Sequence, residues 1–394
     1  MTTEGFEALG VSADLAAALH ADGIIQPFPI QALTIKDALA GRDICGKAKT
    51  GSGKTLAFGI PMLERVGKAR PKRPKALVLL PTRELANQVT TVLEPLAKVR
   101  DRSVVAVYGG VSMDRQIRAL QRGVDIVIGT PGRLIDLMER GEMMLSDVEL
   151  LVLDEADRMV DMGFLPQVQK LLYKIESPHQ TMLFSATLDG AIDRIVQRYL
   201  KDPIAHEVVS AEMTVDEMDH AFLLVHEMDK TKVVASIVRS HDRTLIFMRT
   251  KRGADKLVRN LEREKIRCGA IHGDLRQGTR EQALADFTKG KITALVATDV
   301  AARGLDIDAV DVVVHYDLPE DHKAYLHRSG RTARAGATGV AVTLSMWNEE
   351  NSVRVLQKRL GLAQPIIEIF SNDPRLAELP SLASEGPAQL VESA

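Results

Sequence analysis

The chain has 394 residues, 45% of them hydrophobic and 26% charged, a composition that supports two or three globular domains and excludes fibrous, collagen-like and wholly disordered chains. Its 51 Lys and Arg nearly balance its 53 Asp and Glu, so a site for a polyanion has to gather positive charge locally.

In chain order, short and nearly continuous apolar runs stand at 43–46, 76–80, 104–108, 125–129, 150–154 and 181–185. Runs of that kind mark strands covered on both faces, as in a parallel sheet. Helical patterns lie between them at 56–64, 83–98 and 115–122. The second half repeats the scheme, with strands expected at 221–225, 244–247, 268–271, 293–297, 310–315 and 339–344, and helices at 230–240, 253–264 and 279–288. Alternating strands and helices predict an α/β fold in each half, two related folds in tandem. Residues 202–218 have no strong period and hold the expected linker. From Ser371 onward one basic residue, Arg375, faces Asp373, Glu378, Glu385 and Glu392, so an acidic, disordered tail is expected over 371–394.

Cys45 and Cys268 belong to no C-x-x-C or Cys/His cluster, which argues against a disulfide framework or a structural zinc site. The opening MTTEGFEALGVSADL lacks the flank and apolar run of a signal peptide, and no stretch reaches the roughly 18–20 apolar residues of a bilayer span. A cytoplasmic protein without membrane contact is expected. The basic stretch Arg70-Pro71-Lys72-Arg73-Pro74-Lys75 fits a solvated loop better than a nucleic-acid contact.

Ala48-Lys49-Thr50-Gly51-Ser52-Gly53-Lys54-Thr55 follows a predicted strand and opens a helix, and it is close to the phosphate loop G-x-x-x-x-G-K-[ST], with Ala48 at the first glycine. Gly51 and Gly53 let backbone N–H groups turn inward toward phosphate oxygens beside a positive helix terminus. Lys54 would neutralise the β/γ-phosphates, and Thr55 would hold Mg²⁺. The run LLVLD ends in Asp154, where a strand terminus aims a carboxylate at the metal, and Glu155 follows, placed to orient or deprotonate water. The competing reading of this pair, a glycine-rich turn and an acidic helix start, explains neither spacing nor order.

Asp154-Glu155-Ala156-Asp157 spells D-E-A-D, and from Phe6 to about Phe370 the chain resembles the DEAD-box family of ATP-dependent RNA helicases. The resemblance implies two tandem RecA-like domains, each a mainly parallel sheet flanked by helices, with the active site in the cleft between them. The first would span 1–207, with a Q motif at about 4–32, followed by a linker at 208–218 and a second domain at 219–370. Pro27-Phe28-Pro29-Ile30-Gln31 looks like the Q motif, so Gln31 would read adenine and Phe6 would stack on it. ATP and Mg²⁺ are the implied cofactors.

Other motifs match in the family's order. Thr82 and Arg83 lie in motif Ia, Gly109 and Gly110 form the double glycine, and Thr130 with Arg133 belongs to motif Ib. Such groups grip a sugar–phosphate backbone without reading bases. In the second half, Arg249 and Thr250 match motif IV, Gln277 and Arg280 the Q-x-x-R element, and Thr298 motif V. By carry-over, Asp306 contacts nucleotide and Arg331 and Arg334 are arginine fingers. Asp157, Ser185, Thr187, Asp299, His327 and Arg328 would couple the two domains. The implied activity is RNA-stimulated ATP hydrolysis with local unwinding by a monomer that prefers RNA. An ATP-gated RNA clamp and a DNA translocase are the rival readings.

Overall fold

The computed structural model describes residues 5–48, 51–188, 190–208, 218–302, 307, 310–332 and 339–384. The chain divides into two compact units, residues 1–210 and 211–394. In the first, β1 (Ile44–Lys47), β2 (Ala76–Leu79), β3 (Val104–Val107), β4 (Ile126–Gly129), β5 (Leu150–Leu153), β6 (Gln180–Ser185) and β7 (Ile204–Glu207) form one sheet in the order β3-β4-β2-β5-β6-β1-β7. In the second, β8 (Asp219–Leu224), β9 (Thr244–Met248), β10 (Cys268–Ile271), β11 (Ala294–Thr298), β12 (Val312–His315), β13 (Val340–Ser345) and β14 (Ile366–Glu368) pair as β10-β11-β9-β12-β13-β8-β14. Adding seven to each strand number of the first sheet reproduces the second. Every pairing in both is parallel.

The apolar runs explain this architecture. Along β2, Ala76 and Val78 enter one core while Leu77 and Leu79 enter the other, and β5 divides Leu150 and Val152 from Leu151 and Leu153 in the same way. Ile246 and Met248 of β9 likewise face one side of the second sheet, Leu245 and Phe247 the opposite side. A strand that supplies two cores needs apolar residues at every position, and parallel pairing puts helices on both faces to bury them.

Each sheet ends in a strand that the apolar runs do not reveal, β7 and β14. Both are edge strands of three or four residues, and β7 alternates half-buried with exposed positions, so neither carries a continuous apolar run. The helices Lys54–Arg65, Lys251–Arg263 and Gln277–Thr288 each begin two residues ahead of the expected position. Their first turns hold Lys54 and Thr55, Lys251 and Arg252, and Gln277, polar residues that delay the apolar period.

The expected disordered tail is corrected as far as Ser384. A 3-10 turn at Pro374–Ala377 and a helix at Leu379–Ser384 bury Leu376, Leu379 and Leu382 in the second core. Asp229 accepts hydrogen bonds from the Ser371 N–H (2.7 Å) and hydroxyl (2.8 Å), fixing the entry to this segment. The three leucines recur at one-turn spacing, a signal that the acidic average of the region conceals. Residues 209–217 of the expected linker and 385–394 of the tail lie outside the described residues. No described helix is long and apolar enough to cross a membrane.

Candidate active site

The phosphate-loop sequence leaves β1, and Asp154 and Ser185 sit at the carboxyl ends of β5 and β6, where ligands collect in open α/β sheets. Gly53 has φ +87°, and a Cβ there would meet Gln31 Nε2 at 2.5 Å, so the position requires glycine. Gln31 is fully buried. Its Nε2 donates to the Gly53 carbonyl (2.8 Å), and its Oε1 accepts from the Phe28 N–H (2.9 Å). The side chain expected at adenine is thus also a strut under the phosphate loop. Phe6, expected to stack on adenine, is packed in the first core at 4% exposure.

Lys54 opens its helix with its ammonium buried. Nζ lies 2.7 Å from Glu155 Oε1 and 3.8 Å from Asp154 Oδ1, and it donates to the Ala48 carbonyl at 3.1 Å. Burial by itself would depress this lysine, but Glu155, Asp154 and Asp157 together outweigh burial and raise its pKa. Asp154 is pushed up to about 6, first by burial and then by the neighbouring Glu155, against the pull of Lys54. Burial and Glu155 raise Asp157 as well. Glu155, 2% exposed, has φ +55°, an unusual left-handed conformation for a residue with a side chain. Its Oε2 lies 3.1 Å from Arg158 Nε. The Asp157 N–H donates to Ser185 Oγ (3.3 Å) and the Ala48 N–H to the Ser185 carbonyl (3.0 Å), so Ser185 joins the loop after β1 to the acidic turn after β5. Thr187 lies just beyond β6 and is exposed.

A second group gathers at the ends of β2, β3 and β4. Thr82 Oγ1 accepts from the Leu85 N–H (3.3 Å), capping the helix Arg83–Val99, and Thr130 opens the helix Pro131–Glu139. Gly110 has φ +83°, and a Cβ there would lie 2.1 Å from Arg83 Nη1, so the double glycine leaves the space this guanidinium fills. Gly109 flanks the same pocket between Arg83 and Arg133. Arg133 Nη1 donates to Gln116 Oε1 at 3.3 Å. Burial first, then Arg83 and Arg140, lower the Arg133 pKa despite Asp136. Two neighbouring guanidinium groups, one of them partly desolvated, form a local positive site in a nearly neutral chain. The stretch from Arg70 to Lys75 does not join it: Arg70 and Arg73 pair with Asp147, Lys72 with Glu142 and Lys75 with Glu149.

In the second unit, Thr250 Oγ1 accepts from the Gly253 N–H (3.0 Å), and Arg249 donates from its backbone to Asp317 Oδ2 (2.8 Å). Gln277 and Thr298 are buried, Gln277 donating to Glu281 Oε1 at 3.0 Å, and Arg280 is half-buried one turn along the same helix. Arg328, 2% exposed, makes a fork of two 2.6 Å bonds with Asp299 and donates to the Asp317 carbonyl at 2.8 Å. Its guanidinium also lies 5.3 Å from the Phe247 ring centre. Those contacts are all internal to the second unit. Arg331 is buried and His327 exposed. Lys49, Thr50, Asp306 and Arg334 lie outside the described residues.

Three features have no motif to announce them. Arg158 meets Glu155 through helix spacing alone, whereas Gln116 meets Arg133 from the preceding helix, Met113–Arg122, across the fold. Beneath the helix His322–Ser329, His315 stacks on Tyr325 (centroids 4.6 Å, 6° apart), bonds to Ser329 Oγ (3.0 Å) and lies within a buried group that includes His220. Apolar patterning passes over histidines of this kind because their sequence context looks like any strand.

The DEAD/DEAH box helicase family model matches residues 28–195, and the Helicase conserved C-terminal domain model matches residues 228–336. The DEAD-box ATP-dependent RNA helicase CshA of Bacillus licheniformis is 42% identical over 355 residues, covering 90% of this chain and 73% of that protein. The mitochondrial DEAD-box ATP-dependent RNA helicase 9 of Arabidopsis thaliana is 40% identical over 395 residues, covering 98% of this chain, which spans 62% of that protein's length. Among solved structures, S. cerevisiae Dbp5 bound to RNA and ADP BeF3 gives a TM-score of 0.81 at 30% identity, covering 96% of this chain and 99% of the Dbp5 chain in that structure. A DEAD box protein from Methanococcus jannaschii gives 0.51 at 34% identity, with 93% and 99% covered. With its two tandem RecA-like domains, the chain therefore belongs to the DEAD-box ATP-dependent RNA helicases, a family of ATP-hydrolysing enzymes.

Proposed function

We propose that the protein hydrolyses ATP in response to RNA and uses the cycle to open short duplexes or remodel RNA locally. The observation that carries this reading is the buried pair of Lys54 and Glu155 beside Asp154. A lysine held by a carboxylate is poised to exchange that partner for a phosphate oxygen, and the carboxylate it leaves can then accept a hydrogen bond from the attacking water. Gly51 and Gly53 supply the phosphate cradle with Ser52, and Gln31 ties its position to the adenine side.

Asp154 and Thr55 would hold Mg²⁺. A buried carboxyl whose pKa is raised is short of positive charge, so the donor set suits a divalent cation. When bound, the ion would offset the negative charge of the phosphates.

Arg83, Arg133, Thr82, Thr130 and the double glycine would grip the RNA backbone from the first domain. Arg249, Thr250, Gln277, Arg280 and Thr298 would do so from the second. Arg331 and Arg334 would reach the γ-phosphate, with Asp306 on the nucleotide, only when the domains close on RNA. Asp157, Ser185, Thr187, Asp299, His327 and Arg328 would pass closure from one site to the other. An arginine finger contributes roughly 10³–10⁵ in rate, so the open form should be nearly inert. By linkage, ATP should tighten RNA binding by the factor by which RNA tightens ATP. A cytoplasmic monomer is the state that fits this cycle. ATP turnover measured with single-stranded RNA, duplex RNA and DNA, alongside strand displacement, tests the proposal. RNA should activate and DNA should not; equal activation by both would favour a DNA translocase.

A further inference from the structure

We propose that Arg158 is the positioning residue for Glu155, holding its carboxylate in place while Lys54 serves the nucleotide. The inference rests on the assignment of Glu155 as the water-activating group.

The two oxygens of Glu155 are divided between two cations. Oε1 lies 2.7 Å from Lys54 Nζ, and Oε2 lies 3.1 Å from Arg158 Nε. These cations differ in what the reaction asks of them. Lys54 belongs to the phosphate loop and has to turn toward phosphate oxygens, which releases Oε1. Arg158 stands three residues beyond Glu155, on the helix Ala156–Asp161, and keeps Oε2 whether or not nucleotide is present. The oxygen released by Lys54 is then the one available to the attacking water.

Charge and geometry both require such a holder. Asp154, Glu155 and Asp157 place three carboxylates in one largely buried turn, and among the described residues Lys54 and Arg158 act on them as cations. Once Lys54 has turned away toward phosphate, Asp157 still repels Glu155, and Arg158 keeps an attraction on Oε2 that opposes it. The backbone of Glu155 is set by its left-handed conformation after β5, but three side-chain torsions remain, and a fixed contact on Oε2 removes most of that freedom. An i,i+3 ion pair on an exposed helix would be incidental. Here the side chains are 2% and 16% exposed, so the pair is shielded from water and its geometry persists.

The test uses the full chain carrying Arg158→Ala, Arg158→Lys or Glu155→Gln. It follows RNA-stimulated turnover, affinity for a fluorescent non-hydrolysable ATP analogue, and thermal melting. Arg158→Ala should lower kcat roughly tenfold to a hundredfold, the scale of a misplaced catalytic group. KM and analogue affinity should stay within about twofold, because Lys54 and the loop are untouched. Added guanidinium should restore part of the lost kcat in Arg158→Ala but not in Glu155→Gln, and Arg158→Lys should fall between parent and Ala. Combining Arg158→Ala with Glu155→Gln should cost nothing beyond Glu155→Gln alone. An unchanged kcat in Arg158→Ala, or a loss with raised KM and no guanidinium rescue, overturns the proposal. If Glu155→Gln itself turned over normally, the Glu155 assignment would fail first; a dead Glu155→Gln beside a normal Arg158→Ala would sink this inference alone.

Discussion

The two domains share one strand order and differ in what their principal cations are committed to. In the first, Lys54 is paired with Glu155 and one carbonyl beside Asp154, an arrangement that, on the proposed function, it would exchange for phosphate. In the second, Arg328 is saturated by Asp299, the Asp317 carbonyl and the Phe247 ring, all within its own domain. Both sit in stretches that match family motifs, yet the first is arranged for exchange, while the second holds a helix in place and, on the proposed function, would pass closure on through that helix. Motif membership says that a residue matters; the number and kind of its partners say whether it matters for chemistry or for shape.

The largest effects should break that comparison if it is wrong. Glu155→Gln and Arg331→Ala should each lower RNA-stimulated turnover by roughly 10³ or more while nucleotide analogue still binds, read by steady-state hydrolysis and fluorescence titration. Arg328→Ala should instead act on stability, removing a buried guanidinium from its fork with the partly exposed Asp299 at about 1.5–3 kcal/mol, measured by denaturant unfolding of the second domain. If Arg328→Ala left stability intact and abolished only hydrolysis, the division drawn between the two cations would collapse. Leu379→Ala should cost about 2–5 kcal/mol, because the segment after Phe370 is part of the second core. Arg83→Ala should weaken binding of all RNA sequences alike and reduce the salt slope by about one, as a phosphate contact does.

The smallest expected effect separates the domains by pH. Burial first, then Arg328 and His220, hold His315 well below its ordinary value of 6.5 in the folded protein. The unfolded chain therefore takes up this proton more readily, and stability is lost as pH falls below about 6.5, by at most about 1.4 kcal/mol per pH unit. Unfolding of the second domain followed between pH 5 and 8 should show this slope, and His315→Asn should flatten it.

Much of this was legible in the amino-acid order. Strands buried on both faces announce themselves as unbroken apolar runs, and the phosphate loop and Asp154 are set by spacing around such strands. Edge strands β7 and β14 escaped because they are short and none of their residues is fully buried. The packed segment 371–384 escaped because three leucines were averaged with acids and prolines. Gln31 carried a visible motif but an invisible second duty, since a contact across 22 residues to Gly53 depends on the folded loop. Arg158 was hidden differently: an arginine three residues after a glutamate is common, and only burial distinguishes this pair.

The central claim is that ATP is consumed only when RNA brings the two domains together. Steady-state ATP turnover of the full chain, with and without saturating single-stranded RNA, tests it most directly. The account predicts acceleration by roughly a thousandfold or more, in line with a finger supplied from the second domain; equal rates in the two reactions would contradict it.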